Sequence, residues 1–481
     1  MSIRSRFENP PPFALTEALF LRLLGLVYLA AFASLWPQIA GLIGTHGIAP
    51  AAESLTALHD AFGAKAYFYV PTLLWLNAGN GALLGTCAGG CVASVMLLSG
   101  LFSRYAAGVC FALYLSLTAA GQPFTGFQWD ALLLECGFLA LFSGAPWLIW
   151  AFRFLLFRLM FESGVVKLTS HDPNWRNLHA LRFHFLTQPL PTPLAYYLYQ
   201  APGWLLDSLT AITLAIELLA PFLLFLPRRW RFIAAALFVT LQVAILLTGN
   251  YAFFNLLTLS LCLWCFDDAT YRPLRRMLER TFPRQKMFAG TYARIANGVL
   301  AVLMLAGGLQ VFADLVPASR RIARAISFPI EPFEIVNSYG LFASMTTSRP
   351  EIILEGSEDK MHWTEYNFRY KPGDLHRGLP LVAPYQPRLD WQLWFAALGP
   401  YRQNPWVAGL VYRLLLNEPS VMVLLEPSPF PKPPKYIRAL VYEYKFSTPD
   451  ERKRTGVVWQ RDLLGNWLGP VSLPANTVDS H

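Results

Sequence analysis

The chain has 481 residues, 54% of them apolar and only 14% charged, with a formal net charge of +9 and a mean hydropathy of +0.37. Soluble domains average about 45–50% apolar and about 25% charged residues, so a single water-soluble domain is excluded. The composition describes a multi-pass α-helical membrane bundle with a soluble tail. The basic balance lacks the aromatic-interleaved face that nucleic acid requires, so no nucleic-acid partner is expected and the charge reports topology instead.

Met1 to Pro12 is polar and proline-rich, and the apolar stretch after it has no small-residue cleavage pattern, so it reads as a first span rather than a cleavable signal. Spans of about 20 mostly apolar residues are predicted near 15–36, 78–101, 105–121, 127–145, 147–166, 206–226, 231–249, 251–267 and 295–316, about nine in all. Ala66–Leu76 is too short to cross and contains Pro71, which suits an interfacial or re-entrant piece. Basic residues then fix orientation: Arg4 and Arg6, Arg104, the Arg228-Arg229-Trp230-Arg231 run, and Arg272, Arg275, Arg276, Arg280, Arg284 and Lys286 all fall on one side of a nine-span layout, the cytoplasmic one. The loops 37–77 and 167–205 and the tail then face the opposite side.

The division expected is a transmembrane core over 1–316 and a soluble α+β domain over 317–481 on the lumenal or periplasmic side. In the tail, 350–357 and 361–370 predict strands joined by a turn, 389–398 and 406–416 helices, and 436–446 a strand, with 456–459 adding another. Pro427 to Pro434 is a stiff extended connection. All six cysteines lie in apolar segments, so no disulfide framework is expected in the tail. Cys262-Leu-Trp-Cys265 has redox spacing but no βαβ context, so it reads as small buried thiols rather than a redox pair.

Charges inside spans are costly unless paired or used. Arg158 and Glu162 are spaced i,i+4 and can neutralise each other on one helix face. Arg22, Asp130, Glu135, Glu217, Asn250 and Asn255 add to a polar core. Such a set is either a seam that fixes helix packing or a polar cavity open to the non-cytoplasmic side. Lys167 ends the fifth span, as a snorkelling cation or as a desolvated base. The loop after it crowds His171, Asp172, Trp175 and His184, without a local metal-ligand spacing. Neither a metal nor a cofactor is called for, and no nucleophile elbow, P-loop, dinucleotide fingerprint or HExxH fits its required context.

Several stretches together resemble the lipase maturation factor family over almost the full length. They include Gly126-Phe-Gln-Trp-Asp130 with Glu135, Phe157-Arg-Leu-Met-Phe with Gly164 and Lys167-Leu, Trp175-Arg, Thr187-Gln-Pro-Leu-Pro, Gly249-Asn250 and Phe254-Asn255. In the tail they are Ile335-Val-Asn-Ser-Tyr-Gly-Leu-Phe342, Lys371-Pro-Gly-Asp374 and Arg388-Leu-Asp-Trp391. The resemblance implies a bilayer protein that helps secreted lipases or related hydrolases fold and assemble by contact rather than by bond-making chemistry. The core is also distantly similar to vitamin K-dependent γ-glutamyl carboxylase, through Gly164-Val-Val-Lys167-Leu with Asp172 and Trp175. That similarity implies the alternative, an enzyme using Lys167 as base on a lipid or quinone-like substrate.

On the first reading, Arg388, Asp390, Trp391 and Trp394, or the strand edges of the tail, are candidates to hold a secreted lipase-type client, although aromatics at this spacing more often form a tail core. A transporter is not favoured, since no inverted repeat with paired broken helices is present. Animal relatives implied by the resemblance reside in the endoplasmic reticulum. The absence of an Asn-x-Ser/Thr sequon and of a retrieval signal suits a bacterial inner membrane instead. Oligomeric state is left open.

Overall fold

Backbone polar groups in lipid must be satisfied within the segment, so apolar spans become helices. In the computed structural model, which describes residues 13–274 and 287–474, each predicted span is helical. The helices used below are α1 (Ala14–Leu35), α2 (Ala51–Phe62), α3 (Asn80–Ser99), α4 (Ser103–Ala120), α5 (Gln128–Ala140), α6 (Leu148–Thr169), α7 (Ala180–Thr187), α8 (Gly203–Leu219), α9 (Arg228–Thr248), α10 (Phe254–Leu261) and α11 (Gly290–Leu315). Among the described residues five, α1, α3, α8 with its 3-10 extension to Phe225, α9 and α11, are long and apolar enough to cross a membrane. The expected count of nine is therefore not established. Helix α5 has only 13 residues, and α6, though 22 residues long, contains Arg153, Arg158, Glu162 and Lys167. Helix α6 also runs two residues past Lys167, which lies inside its last turn rather than beyond it.

The described members of the predicted basic clusters, Arg104, Arg228 and Arg231, make polar contacts at one end of the bundle. Arg104 Nε donates to Ser143 O at 2.7 Å, and Arg228 and Arg231 pair with Asp267 at 3.0 and 3.6 Å. Asp268, next in sequence, accepts the Leu15 N–H at the start of α1 at 3.0 Å. Arg4, Arg6, Arg275, Arg276, Arg280, Arg284 and Lys286 lie outside the described residues. The tail covers the opposite end, bonded to residues such as Gln38, Asp172 and Asn250 beyond the other helix termini.

After α12 (Arg320–Ser327) the tail forms strands β1 (Pro350–Ser357) and β2 (Thr364–Glu365), helices α13 (Arg388–Ala397) and α14 (Trp406–Leu415), then β3 (Tyr436–Phe446) and β4 (Trp459–Val471). The strands pair antiparallel in the order β2-β1-β3-β4, with Pro350 opposite Glu443 and Ser357 opposite Tyr436. Two expectations are corrected. Of 361–370 only Thr364–Glu365 is strand, because neighbouring backbone donors go to carboxylates: Met361 and His362 N–H to Asp359, and Tyr370 and Lys371 N–H to Asp390. The short strand expected at 456–459 instead starts at Trp459 and runs 13 residues. Register shifts against β3 and the glycines Gly465 and Gly469 break the alternation that would announce it.

One hydrophobic cluster joins bundle and tail, from Phe20 and Leu24 of α1 through Trp129 of α5 to Ile352, Leu354 and Trp391. Within the bundle α1 and α3 approach closely at Gly25, where a Cβ would stand 2.6 Å from the Leu98 nitrogen. Such small-residue contacts let membrane helices pack backbone to backbone. Gly100 ends α3 with φ 85°, donating to Leu97 O, and the Arg22 guanidinium fills the space its side chain would need.

Gly25→Ala is expected to lower the melting temperature of the detergent-solubilised protein. Gly298→Ala on α11, where a Cβ meets nothing within 4 Å, should hold or raise it, since helix propensity adds about 0.5–1 kcal/mol of stability. The pair is checked by thermal denaturation.

Candidate functional site

Among the described residues, the buried charges of Asp130, Glu135, Arg158 and Glu162 grip the tail. Arg158 Nη1 meets Glu135 Oε1 at 2.7 Å and its Nε stands 3.6 Å from Glu162 Oε1, with all three side chains under 5% exposed. The same guanidinium donates to Asn337 O of the tail. Glu135 Oε2 accepts the Asn337 N–H at 3.0 Å and the Tyr339 hydroxyl at 2.8 Å, and Glu162 Oε2 accepts the Tyr339 N–H at 2.8 Å. The i,i+4 pair read from sequence is thus present, with a tail segment as its further partner.

Asp130 serves two elements. Its Oδ2 caps α5 by accepting the Phe127 N–H at 3.1 Å. Its carboxylate also takes a two-pronged contact from Arg388, at 2.9 and 3.0 Å, with Tyr114 and Phe124 O completing the shell. Bidentate guanidinium–carboxylate pairs are strong and directional. Asn250 reads the tail backbone in both senses: Nδ2 donates to Pro380 O at 2.9 Å, and Oδ1 accepts Val382 N–H at 2.7 Å. Asp172 caps the short helix 173–176 through Asn174 N–H at 2.7 Å and accepts Met345 N–H, while Trp175 Nε1 donates to Phe342 O at 2.8 Å. Of the other polar-core residues, Asn255 donates to Gln242 at 2.8 Å and Arg22 lies buried against Gly100. His171 is exposed, facing Arg176 rather than the seam.

The four residues expected to face a client are buried: Arg388 1%, Asp390 3%, Trp391 3% and Trp394 6% exposed. Trp391 packs edge-on against Trp129 at 4.9 Å and near Phe127 and Tyr251 at 5.9 Å. These aromatics are core where tail meets bundle, so they offer a client no exposed face. Burial pushes the Asp390 carboxyl up to about 6, against the opposing pull of the Lys371 and Tyr370 N–H groups. Residues that sequence reasoning did not single out do comparable work. Arg349, fully buried, donates to Leu186 O at 2.6 Å, Pro189 O at 2.8 Å and Gln188 O, and pairs with Glu351. Gln38 and Trp129 hold Gln386 at 2.8 and 2.9 Å. Asn337 and Tyr339 lay within a stretch that carried the family resemblance; Arg349 had no such signal.

Lys167 stands apart from this seam. Its Nζ lies 2.7 Å from both carboxylate oxygens of Glu217 on α8, 3.2 Å from Ser163 O and 5.2 Å from the Trp175 ring centre. The pair borders a cavity of about 250 Å³ walled chiefly by α6, α8 and α9. His184 of α7 also lines it, its ring 4.9 Å from Phe342 and its Nε2 3.3 Å from the Tyr251 hydroxyl. Burial, then the Lys167 charge, pushes His184 down to about 4, so it is a neutral imidazole at pH 7. Among the described residues no three His, Cys, Asp or Glu stand together as a metal-ligand set.

Arg388→Met is expected to cost about 3–5 kcal/mol by stranding Asp130 in the core, and the double variant with Asp130→Asn to recover much of it. Denaturant unfolding and tryptic release of the tail read both. Asp390 has a folded-state value raised from 3.8 to about 6, so its contribution to stability is lost as pH rises through that window. The melting temperature of the wild type relative to Asp390→Asn should therefore fall between pH 4 and 6 and level off above.

The chain matches the family model described as lipase maturation factor transmembrane domain over residues 15–273 and the lipase maturation factor C-terminal domain over 335–469. Lipase maturation factor 1 of Bos taurus is 36% identical over 508 residues, covering 96% of this chain and 89% of the relative. Lipase maturation factor 2 of Homo sapiens is 36% identical over 598 residues, covering 97% and 84%. No solved structure matches the chain. Both domain matches, the near-full-length identity and the apolar helices converge: the chain is an integral membrane protein belonging to the lipase maturation factor family.

Proposed function

We propose that this protein assists the folding or assembly of secreted lipases or related hydrolases, binding the client on the tail side without forming or breaking covalent bonds. The observation that carries this reading is the use made of the buried charges. They lock the tail onto the bundle as a fixed platform. What the platform leaves open is a sheet edge. Among the described residues strand β4 pairs only with β3, and its Leu463 and Leu464 side chains are 59% and 58% exposed. A long edge strand with exposed apolar residues is a template for an extended chain, the form a folding intermediate offers. Of the two client surfaces expected in the tail, the proposal thus keeps a strand edge, that of β4.

The bundle crosses the membrane nine times, on this proposal, with the Arg104, Arg228 and Arg231 end cytoplasmic and the tail lumenal or periplasmic. That places β4 where secreted clients fold, in the endoplasmic reticulum of a eukaryote or at the inner membrane of a bacterium. The base reading of Lys167 finds no support in the site. An ammonium has three donors, and Glu217 Oε1, Glu217 Oε2 and Ser163 O occupy positions for all three.

Leu463→Lys combined with Leu464→Lys is expected to reduce recovery of active secreted lipase several-fold in cells that depend on this protein, with its own level and melting temperature unchanged. Enzyme activity in the medium and immunoblotting check it. Undiminished lipase yield from the double variant contradicts the proposed contact.

A further inference from the structure

The cavity beside Lys167 and Glu217 is not used by the client reading. Helices α8 and α9 form a hairpin joined at Leu226–Pro227, and the cavity lies between them and α6. Its wall is almost wholly apolar, with Met160, Leu209, Ile216 and Leu241 among the lining residues. Ile212, Thr240 and Ala244 also line it yet face outward, Ile212 being 53% exposed. Both hairpin helices are long and apolar enough to cross a membrane, so this side opening leads into the bilayer. At the tail-side end Trp175, Tyr251 and Phe342 close the space, with Phe342 packed 5.7 Å from the Tyr251 ring.

We infer that the cavity binds the acyl chain of an uncharged, hydroxyl-bearing membrane lipid of the monoacylglycerol or diacylglycerol type, with its head against Glu217. The apolar wall and lateral opening select a chain arriving from the bilayer. At about 250 Å³ the space falls just under the ~300–1,000 Å³ of sites that enclose a whole small ligand, so it holds one chain segment while the remainder lies outside the opening. The polar end selects the head. Lys167 and Glu217 cancel each other's charge at 2.7 Å, which gives a phosphate no net positive field. The donors of Lys167 are engaged, but a carboxylate has about four lone-pair sites, and Lys167 takes two of those on Glu217. What Glu217 still offers is acceptance, which a hydroxyl satisfies and a fatty-acid carboxylate, itself an anion at neutral pH, does not.

The test uses the full-length protein in phosphatidylcholine nanodiscs with a diazirine-tagged monoacylglycerol, crosslinked and mapped by mass spectrometry. The expected result is labelling on cavity-facing residues of α6, α8 and α9. It should fall about tenfold in Ile212→Trp/Ala244→Trp, whose indoles block the opening, a loss equivalent to about two buried CH₂ groups. Both positions face outward, so the variant should fold, and an unchanged melting temperature verifies that. Equal labelling of wild type and variant overturns the inference, as does labelling confined to outward-facing helix surfaces. A tagged fatty acid or phosphatidic acid that labels the same residues as strongly overturns the choice of head. Client maturation is a separate readout, so failure here leaves the β4 contact standing.

Discussion

A charge buried in an apolar bundle has to be met by something, and in this protein the tail meets it. Moving an ion out of water costs several kcal/mol even after relaxation, and the cost persists at the centre of a membrane helix. The bundle places the carboxylates of Asp130, Glu135 and Glu162 in its interior and sets the Arg158 guanidinium beside the last two. The tail supplies the rest: the guanidinium of Arg388 for Asp130, and the Asn337 and Tyr339 donors for Glu135 and Glu162. Bundle and tail are therefore each incomplete alone. Arg349 repeats the logic in reverse, a tail cation seated on bundle-side carbonyls at Leu186 and Pro189.

This arrangement governs what is left for function. Groups that look catalytic in a sequence, paired acids and an arginine inside a membrane helix, are already engaged in docking. On the proposed function, the client-facing role passes to surfaces outside the seam, of which β4 is one. The Lys167–Glu217 pair is the exception, since it is held within the bundle by α6 and α8 and borders a cavity rather than the tail. A single chain thus uses buried charge in two ways, as a latch between parts and as the neutral polar end of an apolar space.

Much of the fold was legible because it follows from local pattern. The helices come from long apolar runs, and β1 and β3 from β-branched and aromatic residues between turns. The seam was legible only in its members. Arg158 and Glu162 reveal each other by i,i+4 spacing, but Asp130 and Arg388 are 258 residues apart and Lys167 and Glu217 50 apart, and no periodicity links such partners. Trp391 and Trp394 misled because aromatic density reads alike in a core and on a binding face; burial distinguishes them and is a tertiary property. Strand β4 is hard to read from sequence for the opposite reason, since Gly465, Gly469 and an exposed leucine pair erase the alternation by which a half-buried strand is recognised.

The most direct measurement of the central claim is hydrogen–deuterium exchange at the tail amides that end on bundle side chains, those of Asn337, Tyr339, Met345 and Val382. If the carboxylates and Asn250 hold the tail as part of one body, these amides exchange as slowly as the buried turns of α5 and α6 and open together with them. Glu162→Gln should then loosen Tyr339 first. Fast exchange at all four amides, with α5 and α6 still protected, would mean that the tail is merely tethered and that the buried charges are satisfied some other way.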